Sequence, residues 1–366
     1  MKHISELQQI LRSQWTIDKR KLECMAYFIA AMIIFRTVNL TQLVKGLPKK
    51  AKMSSRYRRL QRFLSSWSAM SHDWLGPWLL SWFFNEKELI SLTMDRTNWQ
   101  WGKCHINFLM IAVVYKRMAI PLMWALLPKK GNSNCEGRIN LLKRVLKYIP
   151  KSRIKNLLCD REFVGHQWFD WLTKNKIPFK IRVKDNYLTQ TKTGKETTIA
   201  ALFYGLQPGE QRIIQGKRSI TQHGIQVYLM GSRLVSGELM VVASDTQSEE
   251  AIIDYCERWE IETLFQNLKS RGFDFEATHV VDADRLDALM SLIVIAACWC
   301  YRTGEWQIEQ GELVKLKKHK RPSKSLFRHG LDCLSDLLSI EIDYKYLKPL
   351  FELWKLLRPP KLMVSL

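Results

Sequence analysis

The sequence predicts a mixed α/β fold: a βββαβαβ unit, interrupted by a strand-rich insertion and flanked by helical regions. Three observations carry this. The apolar period changes from helical to strand-like near residue 89. Ile106–Tyr115 is a continuous apolar run, as in a strand buried on both faces. Beyond it, amphipathic helical stretches alternate with short apolar strands.

Residues 1–86 read as helical, through ISELQQILRSQW, MAYFIAAMIIF, LTQLVKGLP and a basic-aromatic segment ending in SWFF. Glu88–Thr97 alternates Ser91, Thr93 and Asp95 with Leu92 and Met94, so a strand ending near Asp95 is expected. Met118–Leu127 follows the apolar run across the short turn Lys116-Arg117, which completes a meander. Cys135–Ile149 then presents Leu141, Leu142, Val145, Leu146 and Ile149 on one helical face. Asn156–Asp160 is a short strand ending in an acid, Trp168–Lys174 a helix, and Pro178–Val183 a strand. Residues 185–245 read as strands with no helix, turning at Gly216, Gly224, Gly231 and Gly237. A charged helix near 262 and a buried helix over about 283–302 come next, then a leucine-rich helical end. The expected segments are 1–86, 87–184, 185–245, 246–310 and 311–366. A chain of 366 residues exceeds what one core usually supports.

Lys and Arg number 57 against 35 Asp and Glu, a formal charge of +22 that implies a polyanionic partner. Charge alone fits DNA, RNA or an anionic membrane surface equally. The eight cysteines form no CxxC pair and the histidines supply no finger-type spacing, which argues against a structural zinc site. Scattered thiols fit a reducing compartment. The first residues lack a signal-type apolar run, and Met25–Phe35 and Ala288–Tyr301 fall short of the ~18–20 residues that span a bilayer. A cytoplasmic protein is expected.

The stretch DYCERWEIETLFQNLK, residues 254–269, concentrates chemistry. On a helix advancing about 100° per residue, Tyr255, Arg258, Glu262 and Lys269 fall within roughly 60°. Two readings fit: a lined site, or a surface helix with Glu262 salt-bridged between Arg258 and Lys269. Asp95 and Asp160 close two strands, where functional side chains leave the packed layer, although an acid at a strand end also serves as a turn residue. With Glu262 they form a set of hard oxygen donors suited to Mg²⁺ or Mn²⁺. Two such ions about 3.5–4 Å apart activate a water or 3′-OH and stabilise the leaving oxygen of a phosphodiester.

Tyr255-x2-Arg258-x3-Glu262-x6-Lys269 resembles the YREK signature of DDE transposases of the insertion-sequence-4 type. LTMDRTNW around Asp95 and LLCDREF around Asp160 look like that family's first two acidic motifs. The strand-rich segment sits between second and third acids, where the family interrupts its RNase H-like core. The resemblance covers most of the chain. It implies an RNase H-like mixed sheet, Asp95, Asp160 and Glu262 as catalytic ligands of Mg²⁺ with Mn²⁺ as a substitute, and cut-and-paste transfer of DNA. Tyr255, Arg258 and Lys269 are then expected to contact phosphates near the transposon end. Relatives often stack a flipped base on an insertion tryptophan. This chain has none between Trp171 and Trp259, leaving Tyr204 or Tyr228 as candidates.

Lys49, Lys50, Lys52, Arg56, Arg58, Arg59 and Arg62 lie in an acid-free stretch, with Tyr57, Leu60, Leu64 and Trp67 at helical spacing. They suit tracking of double-stranded DNA and recognition of terminal inverted repeats, or else form a solvated basic face. A second cluster, Lys315 to Arg328, fits a grip on flanking or target DNA or a plain loop. Holding two ends together requires a homodimer in the DNA complex, with the helices after about 322 as the expected contact. Two other functions share the three acids: a nuclease or resolvase without strand transfer, and a non-catalytic DNA-binding relative.

Overall fold

The computed structural model describes residues 3–14, 17–69, 71–128, 130–220, 224–312, 314–315, 318, 322–339 and 347–358. The chain divides into two compact units. The first joins residues 1–82, 99–106 and 265–366; the second joins 83–98 and 107–264. Residues 1–86 open with α1 (Ile4–Gln14), α2 (Lys19–Phe35), α3 (Leu40–Leu43), α4 (Met53–Ser68) and α5 (Leu75–Phe83). The expected strands and helices follow: β1 (Ile90–Trp101), β2 (Cys104–Tyr115), β3 (Met118–Leu126), α6 (Cys135–Val145), β4 (Ile154–Cys159), α7 (His166–Lys174) and β5 (Phe179–Val183).

Next come β6 (Leu188–Gln190), β7 (Glu196–Thr198), α8 (Ile199–Leu202), β8 (Gln211–Ile213), β9 (Arg218–Ile220), β10 (Ile225–Arg233) and β11 (Leu239–Ser244). The chain continues through α9 (Ala251–Cys256), α10 (Trp259–Leu268), α11 (Ala283–Glu309), α12 (Leu326–Ser339) and α13 (Leu347–Leu356).

In the second unit the architecture is mixed α/β around one mixed sheet, in the order β3-β2-β1-β4-β5-β11-β10-β9-β6-β7, with β8 also on β10. β2 pairs antiparallel with β3, while β1–β4 and β4–β5 are parallel. Positive φ at Lys116 and Arg117 lets two residues close the β2–β3 hairpin in the sense that matches strand twist. Residues 106–113 of β2 are all buried, as a largely apolar run requires, and the one polar residue among them, Asn107, donates its amide to the Gly131 carbonyl at 2.9 Å. Asn134 starts α6 by accepting the Gly137 N–H at 2.9 Å, and α6 packs against β3 and α7. β11 runs antiparallel to β5, so the last strand of the expected insertion continues the central sheet.

Two expectations for residues 185–245 are corrected. The segment contains a helical turn, α8, whose start is capped by Thr198 accepting from the Ala201 N–H. Gly231 is a mid-strand residue of β10, and a Cβ there would stand 2.5 Å from the Phe203 ring. Glycine is needed at that position for close approach of a ring rather than for a turn. Gly216, Gly224 and Gly237 do have positive φ.

The first unit is helical. Asp18 caps α2 by accepting from the Arg20 and Lys21 N–H groups, and Arg36 ends it in the left-handed conformation. α2 and α11 are largely buried, and both pack against α4 and α12. Trp67 donates its indole N–H to Ser291 at 2.8 Å, and His72 Nδ1 meets Asp287 at 2.6 Å. α11 and α12 cross through Gly304 and Gly330, where an added Cβ would meet backbone at 2.2 and 1.8 Å. Among the described residues no single helix is long and apolar enough to cross a membrane.

Candidate active site

The site is set first by strand register. In the parallel β1–β4 ladder Met94 lies opposite Cys159, so Asp95 and Asp160 are the next residues on neighbouring strands. Parallel neighbours stand about 4.8 Å apart, which places the two carboxylates side by side. Asp160 follows β4 directly and opens a 3-10 turn over Arg161–Phe163, closed by the Phe163 N–H on the Asp160 carbonyl at 3.0 Å. Asp95 does not end its strand, as expected, but lies within β1, which runs on to Trp101 into a hairpin with β2. What ends at Asp95 is the ladder to β4.

The expected single helix over 254–269 is two helices. α9 stops at Cys256 and α10 starts at Trp259. Between them the N–H groups of Glu257, Arg258 and Ile261 reach back three residues, to Asp254, Tyr255 and Arg258. Such bonds tighten the turn. α9 is clamped to the sheet by Asp254, which is buried and accepts from Lys155 at 2.9 Å, from Asn156 at 3.2 Å and from Lys180. Its apolar side, Ala251, Ile252 and Tyr255, packs on Met230, Met240 and Val242 of β10 and β11.

This clamp delivers Tyr255 and Arg258 to the aspartates. The Tyr255 hydroxyl donates to Asp160 Oδ1 at 3.4 Å and accepts from Arg258 Nε at 3.1 Å. Arg258 Nη1 donates to Asp95 Oδ2 at 3.0 Å, and Nη2 to Glu262 Oε1 at 2.6 Å. One guanidinium therefore joins Asp95 and Glu262 directly, and reaches Asp160 through the phenol. The Arg258 side chain is only 4% exposed, Asp95 is 16% exposed, and Glu262 is half exposed.

Burial pushes the Asp95 carboxyl up to about 6. Glu162 and Asp160 add to this, against the Arg258 cation and the Arg96 N–H, which donate to the carboxylate and favour its charged form. Burial opposes the charge on Arg258, but Tyr255, Asp95, Glu262 and Asp160 together hold it above the ordinary arginine range. Burial likewise raises the Tyr255 phenol, which stays a hydrogen-bond donor at neutral pH.

The donor set suits a hard divalent ion in kind, since it is three carboxylates without sulfur or imidazole. Among the described residues no three such ligands stand ready around one point. The Arg258 guanidinium stands between two of the three, at 3.0 Å from Asp95 and 2.6 Å from Glu262. The desolvated Asp95 marks a carboxylate that one shared cation compensates incompletely.

Lys269, the fourth residue of the expected stripe, belongs to the other unit, where its ammonium lies 5.6 Å from the Trp99 ring and 2.8 Å from Glu276. The basic residues before and on α4 divide by role. Lys49, Lys50, Lys52, Arg58 and Arg62 are exposed. Arg56 instead donates to the carbonyls of Val44 and Leu47 at 2.9 and 3.3 Å, and Arg59 pairs with Glu23 at 3.2 Å. In the second basic cluster Lys317, Lys320 and Arg321 lie outside the described residues, while Lys324 and Arg328 both pair with Asp332. Tyr204 is 86% exposed, whereas Tyr228 is partly buried with Lys217 5.6 Å from its ring.

Sequence reasoning assigned no role to Arg96, Glu162 or the Asp254 clamp. Arg96 and Glu162 stand inside the two acidic motifs, beside the residues chosen for chemistry, so proximity in the motif was the available signal. Lys180 and Asn156 are polar residues within short, largely apolar strands, and that polarity was the available signal for the clamp.

A search of curated proteins returned no match to this chain. Residues 90–299, more than half of the 366, match the family model of the transposase DDE domain and include Asp95, Asp160, Tyr255, Arg258 and Glu262. The chain belongs to the transposase DDE domain family, whose members are enzymes that act on DNA with divalent metal ions.

Proposed function

We propose that this chain is an insertion-sequence transposase of the insertion-sequence-4 type, built on an RNase H-like core. It binds terminal inverted repeats, cleaves the element's ends and joins the 3′-OH groups to target DNA. The observation that carries the reading is the network about Arg258, which bonds Asp95 and Glu262 directly and is linked to Asp160 through the Tyr255 hydroxyl, although the three acids lie far apart in sequence. A strand order of β3-β2-β1-β4-β5, with an antiparallel meander followed by parallel strands, supports the RNase H-like assignment.

Asp95, Asp160 and Glu262 would hold Mg²⁺, which when bound activates the attacking oxygen and stabilises the leaving one. Arg258 balances Asp95 and Glu262 by direct contact, and its planar fork is matched to a DNA phosphate. Tyr255 keeps its proton and orients Asp160 through its hydroxyl. Lys269 supplies a further cation for DNA. Lys49, Lys50, Lys52, Arg58 and Arg62 are the exposed cations assigned to the repeat, and two chains act together on paired ends.

Asn at Asp95 or Asp160, or Gln at Glu262, is expected to abolish cleavage of a labelled terminal-repeat duplex while a gel shift shows retained binding. A Glu262→Gln protein cutting at the wild-type rate would remove Glu262 from the catalytic set. Adding a supercoiled plasmid separates a transposase from a nuclease, since only the transposase inserts the labelled end.

A further inference from the structure

We propose that the ion pair between Arg96 and Glu162 is a positioning brace that fixes the spacing of Asp95 and Asp160 for a divalent ion. The inference rests on the metal-binding role of the two aspartates. The β1–β4 ladder that aligns them stops at Met94 and Cys159, one residue short of both carboxylates. Two neighbouring carboxylates repel, and Asp160 already lies in a turn, so the ladder alone leaves its position underdetermined.

Arg96 follows Asp95 and Glu162 lies two residues after Asp160, so a bond between them closes the first link beyond the ladder. That bond is a fork: Nε to Oε1 and Nη2 to Oε2, both at 2.7 Å, with side chains 12% and 19% exposed. The remaining three guanidinium donors are also engaged. Nη1 reaches Asn107 Oδ1 at 3.1 Å and the Gly131 carbonyl at 2.8 Å, and Nη2 reaches Asn132 Oδ1 at 3.1 Å. All five N–H groups have protein acceptors, so Arg96 has no donor left for a phosphate, and its work is geometric.

The turn is held from a second side. Buried Arg138 donates to the Glu162 carbonyl at 3.0 Å and to the Ser133 carbonyl and hydroxyl at 2.8 Å, with its guanidinium 4.7 Å from the Phe163 ring. Glu162 is thus gripped by its carboxylate and its main chain together. Partners that orient metal ligands are worth about 10–100-fold in affinity when removed.

The test titrates the full-length protein with Mn²⁺ alone, reading free Mn²⁺ by electron paramagnetic resonance, with thermal unfolding as the check on folding. Glu162→Gln keeps the shape and removes the charge; Arg96→Lys keeps the charge and removes the fork. Each is expected to weaken Mn²⁺ binding about 10–100-fold. In the cleavage assay the Mn²⁺ concentration for half-maximal rate should rise, with recovery at high Mn²⁺. Unchanged thermal unfolding beside the weakened Mn²⁺ binding separates the brace from a general loss of packing. Wild-type affinity in both single variants overturns the brace. Asp160→Asn separates the two levels: if it binds Mn²⁺ as tightly as wild type, the metal-site reading itself falls, whatever the brace variants do.

Discussion

Replacing Asp254 by Asn is the sharpest test of how the α9 clamp is built. The carboxylate is buried and receives Lys155, Asn156 and Lys180, and the Lys180 side chain is only 5% exposed. Burial would raise the Asp254 carboxyl, but the two lysines overcome it and hold it below its ordinary range. Asparagine keeps the shape and leaves the Lys180 ammonium buried without a counter-charge. Breaking such a pair on one side costs roughly 3–5 kcal/mol. Lys155 is 43% exposed and adds little, so about 3 kcal/mol is expected. For a unit of 150–250 residues this lowers the unfolding midpoint by about 6–12 °C.

The assay is urea unfolding at pH 7, supported by calorimetry. The double variant D254L/K180M removes both charges and should recover most of the loss, since well-packed apolar residues often replace a buried pair at little cost. The stabilisation is present above the unfolded Asp pKa, near 3.9, and is lost as pH falls through the lower folded value. A loss under about 0.5 kcal/mol for Asp254→Asn, or a double variant as unstable as the single, would refute the clamp.

Asp95 has the opposite sign. Its carboxyl titrates near 6 in the folded chain, so its charge costs stability above that pH, and stability rises as pH falls from 6 towards 4. In chelated buffer Asp95→Asn should therefore raise stability at pH 7 by up to about 3 kcal/mol, a gain that fades by pH 4, while abolishing cleavage; equal unfolding curves at pH 7 would contradict it. Arg58→Ala and Arg62→Ala should each lower the slope of log binding constant against log salt by about 1 on terminal-repeat DNA without changing stability. Arg56→Ala should instead destabilise the chain, because its guanidinium holds the carbonyls of Val44 and Leu47. Gly330→Ala forces a Cβ to within 1.8 Å of the Cys300 carbonyl, so it should separate α11 from α12 and cost about 1–3 kcal/mol or more in calorimetry.

Sequence by itself determined the elements and the identity of the acids. The largely apolar run of β2, the Lys116-Arg117 turn and the apolar faces of α2, α6 and α11 are local patterns, and local patterns survive in one dimension. Tertiary structure decided which residues meet. The helix over 254–269 breaks because the tight turn at 257–258 carries Arg258 inward to Asp95 while Asp254 stays pinned to Lys180, and neither partner is near in sequence. Gly231 reads as a turn and is a strand residue under Phe203, since its neighbour comes from another element. Arg56 and Arg96 read as cations for DNA or as bystanders of a motif. Their roles were fixed by carbonyls and carboxylates that only the folded chain brings within hydrogen-bond range, because a guanidinium's function depends on how many of its donors the protein already uses.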